Sequence, residues 1–208
     1  MTIIHFLHSG PINGKATILF AHGAGAAMDT EFMNSIAENL GNSGHSVQRF
    51  EFPFMAERRI TGKKRPPDRA PVLLNFWKDV ITQHSDRPLF IMGKSLGGRM
   101  ATMIADETNV SGVICLGYPF HPPGKLEKTR TEHLANLNSP TLIIQGTRDP
   151  FGKPEEVDSY DLSSNIEIFW SEDGDHSLVP RKRSGFTANE NWGIATQRID
   201  HFIQKVCS

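Results

Sequence analysis

Ser95 stands in Gly93-Lys94-Ser95-Leu96-Gly97, with a glycine two residues to either side. A serine hydroxyl is a weak nucleophile at neutral pH and needs a neutral imidazole to take its proton as it attacks. Two residues further along suit that task. Asp149 follows the apolar run 141–145, and His176 follows the run 166–170. In that combination the histidine is general base and then general acid, while the aspartate fixes its tautomer and stabilises the imidazolium. The chemistry is acyl transfer. Its oxyanion needs two N–H donors. We expect one from Leu96, directly after the serine. The other is expected from Ala24, in the glycine-bearing loop His22-Gly23-Ala24-Gly25, which His22 shapes.

Other readings of these residues meet specific obstacles. A phosphate-binding loop ending at Gly93-Lys94-Ser95 requires glycine at position 88, where Pro88 stands. A dinucleotide fingerprint beginning at Gly23 requires a small third residue, where Met28 stands. The histidines and acids show no metal-ligand spacing and no C-x-x-C occurs, so neither metal nor cofactor is expected. Asp173 and Asp175 compete with Asp149 for the acid role. Asp175 is adjacent to His176, and neighbouring side chains in an extended loop point apart. Asp149 is therefore favoured. Tyr118 and His121, in the stretch after the next apolar run, are expected to line the substrate pocket.

The serine needs a sharp strand-to-helix turn. Residues 88–92 are an apolar run suited to a strand buried on both faces, and residues 98–105 read as a helix packed on it. Side chains larger than hydrogen at positions 93 and 97 would crowd that turn, and the hydroxyl would project at the positive end of the helix. Further strands are expected at 2–7, 16–21, 46–52, 110–116, 141–145 and 166–170. Helices are expected from Asp29 or Thr30 to about 40, from 68–71 through Ile81, at 131–137, and at 189–206. The last should bury Trp192, Ile194, Ile199, Phe202, Ile203 and Val206. Strands alternating with helices imply an α/β fold, a mostly parallel sheet with helices on both faces and one domain over residues 1–208. Ligands of such a sheet bind outside the carboxyl ends of its strands.

Between positions 57 and 69 lie Arg58, Arg59, Lys63, Lys64, Arg65 and Arg69 against only Glu57 and Asp68. This segment follows a strand end and is expected to overhang the pocket as a loop. It reads either as a solvated loop or as a loop from which Arg59, Arg65 or Arg69 presents a guanidinium fork to an anionic substrate. The chain as a whole is nearly neutral, with a formal net charge of −1, which offers no bulk attraction to nucleic acid or membrane. No run approaches the ~20 apolar residues of a membrane span. With two cysteines and no signal-peptide pattern at the N-terminus, a cytoplasmic protein is expected.

With these residues placed, the sequence resembles the α/β-hydrolases, whose triad runs in the order Ser, Asp, His. More narrowly it resembles the compact hydrolase-like family named for the testis-expressed protein 30 and a subunit of the NSL chromatin complex. Phe52-Pro53-Phe54-Met55, Arg65-Pro66-Pro67-Asp68-Arg69, Gly93-Lys94-Ser95-Leu96-Gly97-Gly98-Arg99, Gly117-Tyr118-Pro119-Phe120-His121-Pro122-Pro123-Gly124-Lys125, Gln145-Gly146-Thr147-Arg148-Asp149 and Gly174-Asp175-His176 carry that resemblance. Dienelactone-hydrolase-like enzymes are more distant relatives. The resemblance implies the triad Ser95, Asp149, His176. No segment is long enough for the helical cap that many α/β-hydrolases insert, so an open site is expected. The expected function is cleavage of a small-molecule carboxylic ester or thioester. A hydrolase-like interaction module that no longer turns over is the alternative.

Overall fold

The structure, a computed structural model, describes residues 4–84 and 88–208. In chain order its main elements are β1 (Phe6–Ser9), β2 (Thr17–Ala21), α1 (Glu31–Asn42), β3 (Ser46–Phe50), α2 (Pro53–Thr61) and α3 (Ala70–Thr82). There follow β4 (Leu89–Lys94), α4 (Leu96–Ile104), β5 (Gly112–Leu116), β6 (Thr141–Gly146), α5 (Pro154–Val157), β7 (Ile166–Ser171) and α6 (Ala188–Cys207). Residues 2 and 3 of the expected first strand lie outside the described residues.

The strands form one sheet in the order β1-β3-β2-β4-β5-β6-β7, parallel except for β1, which pairs antiparallel with β3. The central strands are apolar on both faces because both faces are covered. Along β2, Ile18 and Phe20 join the core under α1 and α6, while Leu19 and Ala21 join the core under α3 and α4. Along β4 the same alternation sends Phe90 and Met92 to the first core and Leu89 and Ile91 to the second. Thr30 caps α1 by accepting the Met33 N–H, and Thr187 with Glu190 forms a capping box on α6.

Strand order sets the site. From β2 the chain moves outward through α1 to β3, then returns through α2 and α3 to β4 on the other side of β2. The crevice at such a reversal lies between the carboxyl ends of β2 and β4. His22 follows the first of these ends and Ser95 the second. No helical layer among the described residues covers this crevice; between β5 and β6 there is loop and a 3-10 turn at Glu132–Asn136. Also among the described residues, no helix is long and apolar enough to cross a membrane.

Several expectations differ from what is found: among the described residues the first strand runs Phe6–Ser9 rather than over 2–7, and the helix expected at 131–137 is a short 3-10 turn. Pro53 does not merely end a strand; it opens α2, because a proline at the first helical position loses no intrahelical bond. Phe54 and Met55 then bury, and Gly62, at φ 69°, ends the helix. Ile194 is exposed because it falls two residues after Trp192, off the stripe of Trp192, Ala195, Ile199, Phe202 and Ile203.

Candidate active site

Ser95 has φ 51° and ψ −112°, a conformation that non-glycine residues adopt at a cost. The surroundings hold it there. Its N–H donates to the Leu116 carbonyl across the sheet, and its carbonyl accepts the Arg99 N–H to start α4. The flanking glycines are required by close approach. A Cβ on Gly93 would lie 2.1 Å from the Gly98 nitrogen, and one on Gly97 would lie 2.6 Å from the His22 carbonyl oxygen.

The three residues picked out by chemistry meet in one hydrogen-bonded chain. His176 Nε2 lies 2.9 Å from Ser95 Oγ, and His176 Nδ1 lies 2.8 Å from Asp149 Oδ2. Asp149 is fully buried and also accepts the Phe151 N–H at 2.9 Å and the Gln145 side-chain amide at 2.9 Å. A carboxylate with these donors accepts from Nδ1–H, which leaves Nε2 as the acceptor facing the serine hydroxyl. Burial holds the His176 pKa below the ordinary imidazole value, with Asp149 pulling it up and Lys94 pushing it down. The imidazole is thus neutral at pH 7 and able to take a proton.

The rival acids have other work. Asp175 Oδ1 accepts the N–H groups of Ser177 and Val179, closing the turn that carries His176. Asp173 pairs with Arg148 and Arg181. Neither lies against Nδ1.

On the β2 side, His22 is buried, accepts the Phe52 N–H at Nε2 and so donates from Nδ1 to the Gly23 carbonyl at 2.6 Å. Burial keeps its pKa low, so it stays a neutral strut for the loop. Ala24 in that loop and Ser95 line one pocket of about 410 Å³, together with Ala27, Phe32, Met33, Phe151 and His176. Leu96 opens α4, so its N–H has no intrahelical acceptor.

Four expected substrate contacts are placed elsewhere. Tyr118 is fully buried in the core under α3 and α4, and its hydroxyl donates to the Arg130 carbonyl. His121, 1% exposed, lies between the Pro122 carbonyl and Glu156. Both were expected at the pocket because their loop follows a strand end. The left-handed Gly117, at φ 65°, turns that loop, and Tyr118 and His121 go into the interior. Arg59 forks onto Asp29, at 2.9 and 3.0 Å, and also pairs with Glu51. Arg65 bridges Glu57 and Asp68, and Asp68 in turn accepts the Phe54 N–H. The basic segment is therefore a clamp on α2. Neither arginine lines the Ser95 pocket.

Two residues of the site have roles that the sequence reading does not assign. Gln145 ends an apolar run with a polar side chain four residues before Asp149, which was the available signal. Its amide donates to Asp149, and its carbonyl accepts the Tyr118 N–H at 2.7 Å. Phe151 stacks beside His176 with ring centroids 4.3 Å apart, and no pattern marked it. Among the described residues, no group of three or more His, Cys, Asp or Glu side chains could hold a metal ion.

The same architecture recurs in solved proteins. A dienelactone hydrolase from Anabaena variabilis matches over 95% of this chain and 91% of its own, at 20% identity and a TM-score of 0.72. A serine hydrolase without a lid from Xanthomonas campestris matches over 97% and 88%, at 16% identity and 0.71. An alpha-beta serine hydrolase homologue from Coxiella burnetii matches over 97% and 90%, at 18% identity and 0.68. At such identities the likeness is one of fold. The profile of the alpha/beta hydrolase domain matches residues 14–204, and with it the chain belongs to the alpha/beta hydrolase domain family.

Proposed function

We propose that the protein is a serine hydrolase that cleaves a carboxylic ester or thioester through an acyl-enzyme on Ser95. The unbroken hydrogen-bonded chain from Ser95 through His176 to Asp149, opening on a pocket, carries this reading. As Ser95 Oγ attacks the carbonyl carbon, its proton passes to His176 Nε2, and Asp149 steadies the imidazolium. The oxyanion is received by the N–H groups of Leu96 and Ala24. His176 then gives the proton to the departing alcohol or thiol, and a water molecule repeats the sequence to release the acid.

Alanine, phenylalanine and methionine side chains outnumber the polar Thr30 and Lys94 around the pocket and favour an apolar acyl group, and its ~410 Å³ suits a small one. With Arg59 and Arg65 already paired, the anionic preference first expected from them loses its basis, and an uncharged acyl group fits better. We also propose that the chain belongs to the narrower family named for the testis-expressed protein 30 and the NSL complex subunit, on the sequence motifs that carry that resemblance. The test is labelling by a fluorophosphonate probe alongside hydrolysis of short p-nitrophenyl esters and thioesters. Labelling lost in Ser95→Ala, with turnover of neutral short-chain esters, is the expected result. A folded wild type that neither labels nor turns over any of them would leave an interaction module as the function.

A further inference from the structure

Lys94, directly before the serine, belongs to the apolar row Phe90-Met92-Lys94 that faces the core under α1 and α6. Its ammonium is buried at the top of that row, where an uncompensated charge is costly. It donates to the backbone carbonyl of His176 at 2.6 Å. It also sits over the Phe32 ring, 5.9 Å from the centroid. The space is tailored to it. Gly117, at φ 65°, could carry no side chain, because a Cβ there would lie 2.9 Å from Lys94 Nζ and 2.6 Å from the His176 carbonyl oxygen. Simple packing would be served as well by methionine, the residue two positions earlier in the row.

We infer that Lys94 is a positioning residue for His176: its hydrogen bond pins the turn that carries the imidazole, and its positive charge, beside the effect of burial, opposes the two carboxylates that favour imidazolium. The inference rests on the reading of His176 as the general base. The balance of charge around the pair is explicit. His176 faces Asp149 from the loop after β6, Asp175 from its own turn, Ser95 from the elbow and Lys94 from β4. Lys94 faces the same two aspartates. The two carboxylates favour imidazolium, and the ammonium opposes them. Without it the base would protonate at higher pH and the turn would lose its anchor.

Two variants separate the two roles. Lys94→Gln keeps a donor for the carbonyl and removes the charge; Lys94→Met removes both. We expect the His176 ring titration, followed by NMR, to move to higher pH in both variants, and the acid limb of kcat/KM to move with it. At pH above that limb, Lys94→Met should lose kcat on the order of 10²-fold with KM little changed, as a misplaced base does. Lys94→Gln should lose clearly less. An unchanged His176 titration in both folded variants overturns the electrostatic role, and equal kcat losses in the two overturn the pinning role. If both fail to fold, the wild type decides. Burial lowers the Lys94 ammonium pKa below the ordinary lysine value, and the His176 ring resonance should shift as that ammonium, followed through its own NMR signal, loses its proton. A His176 resonance that does not respond to the Lys94 titration overturns the proposal. These titrations need no turnover, so they stand or fall separately from the hydrolase reading.

Discussion

Two regions of this molecule concentrate ionisable side chains, and they come to opposite ends. In the segment around α2, two of the arginines expected to reach a substrate are answered by acids close by: Arg59 by Asp29 and Glu51, Arg65 by Glu57 and Asp68. These pairs leave the guanidinium forks occupied, and their work is to fasten a helix. At the carboxyl ends of β4, β6 and β7 the partners are brought together from 27 and 81 residues apart. There one acceptor, His176 Nε2, is left aimed at a hydroxyl beside a pocket. A residue type suggests chemistry only when the fold leaves part of its bonding capacity unspent.

The comparison can be broken or sharpened by substitution. Ser95→Ala should show the largest effect, a loss on the order of 10⁶ in kcat together with all probe labelling, in a protein with an unchanged circular dichroism spectrum. Asp149→Asn comes next, at about 10⁴, because the amide stabilises the wrong imidazole tautomer. Asp175→Asn should cost far less, since Asp175 makes no hydrogen bond to the imidazole and accepts the N–H groups of Ser177 and Val179 instead. A reversed ranking of these two aspartates in steady-state kinetics would move the acid role to Asp175.

The pH profile is a milder probe. The free-enzyme kcat/KM needs neutral His176, whose pKa lies below the ordinary 6.5 because the ring is buried. Activity should hold as pH falls through 6.5 and drop only below it. An acid limb above 6.5 in the wild type would contradict this. Gln145→Leu tests a support rather than a reactant. It strips one of three donors from Asp149 and leaves the buried Tyr118 N–H without its acceptor, and the orphaned N–H should cost about 1–3 kcal/mol in chemical denaturation. The smallest effects belong to the other region. Arg59→Ala and Arg65→Ala should leave kcat/KM on neutral and anionic esters within about twofold. Arg65→Ala, at a part-exposed pair, should cost no more than about 1 kcal/mol of stability, while Arg59→Ala should cost more, because it leaves the buried Glu51 carboxylate without its cation. A selective loss on the anionic ester in either variant would return that arginine to the pocket.

The sequence by itself determined the alternation of strands and helices, the α/β class, and the residues that meet at the strand ends. The reason is local. Apolar runs bounded by glycine and proline mark buried strands, and in a parallel sheet their carboxyl ends all face one way, so Ser95, Asp149 and His176 had to share a rim. The glycine at 93 was legible for the same reason, since the crowding it relieves lies within the elbow, whereas the crowding at Gly97 comes from Ala21 and His22 on the neighbouring strand end. Only the tertiary structure decided the rest. Strand order rests on pairing between distant segments, and it placed the crevice between β2 and β4. Periodicity names the face a side chain takes but not the partner across from it. Hence Arg59 and Arg65 found acids, Tyr118 and His121 turned inward past Gly117, and Gln145 and Lys94 became the supports of the acid and the base.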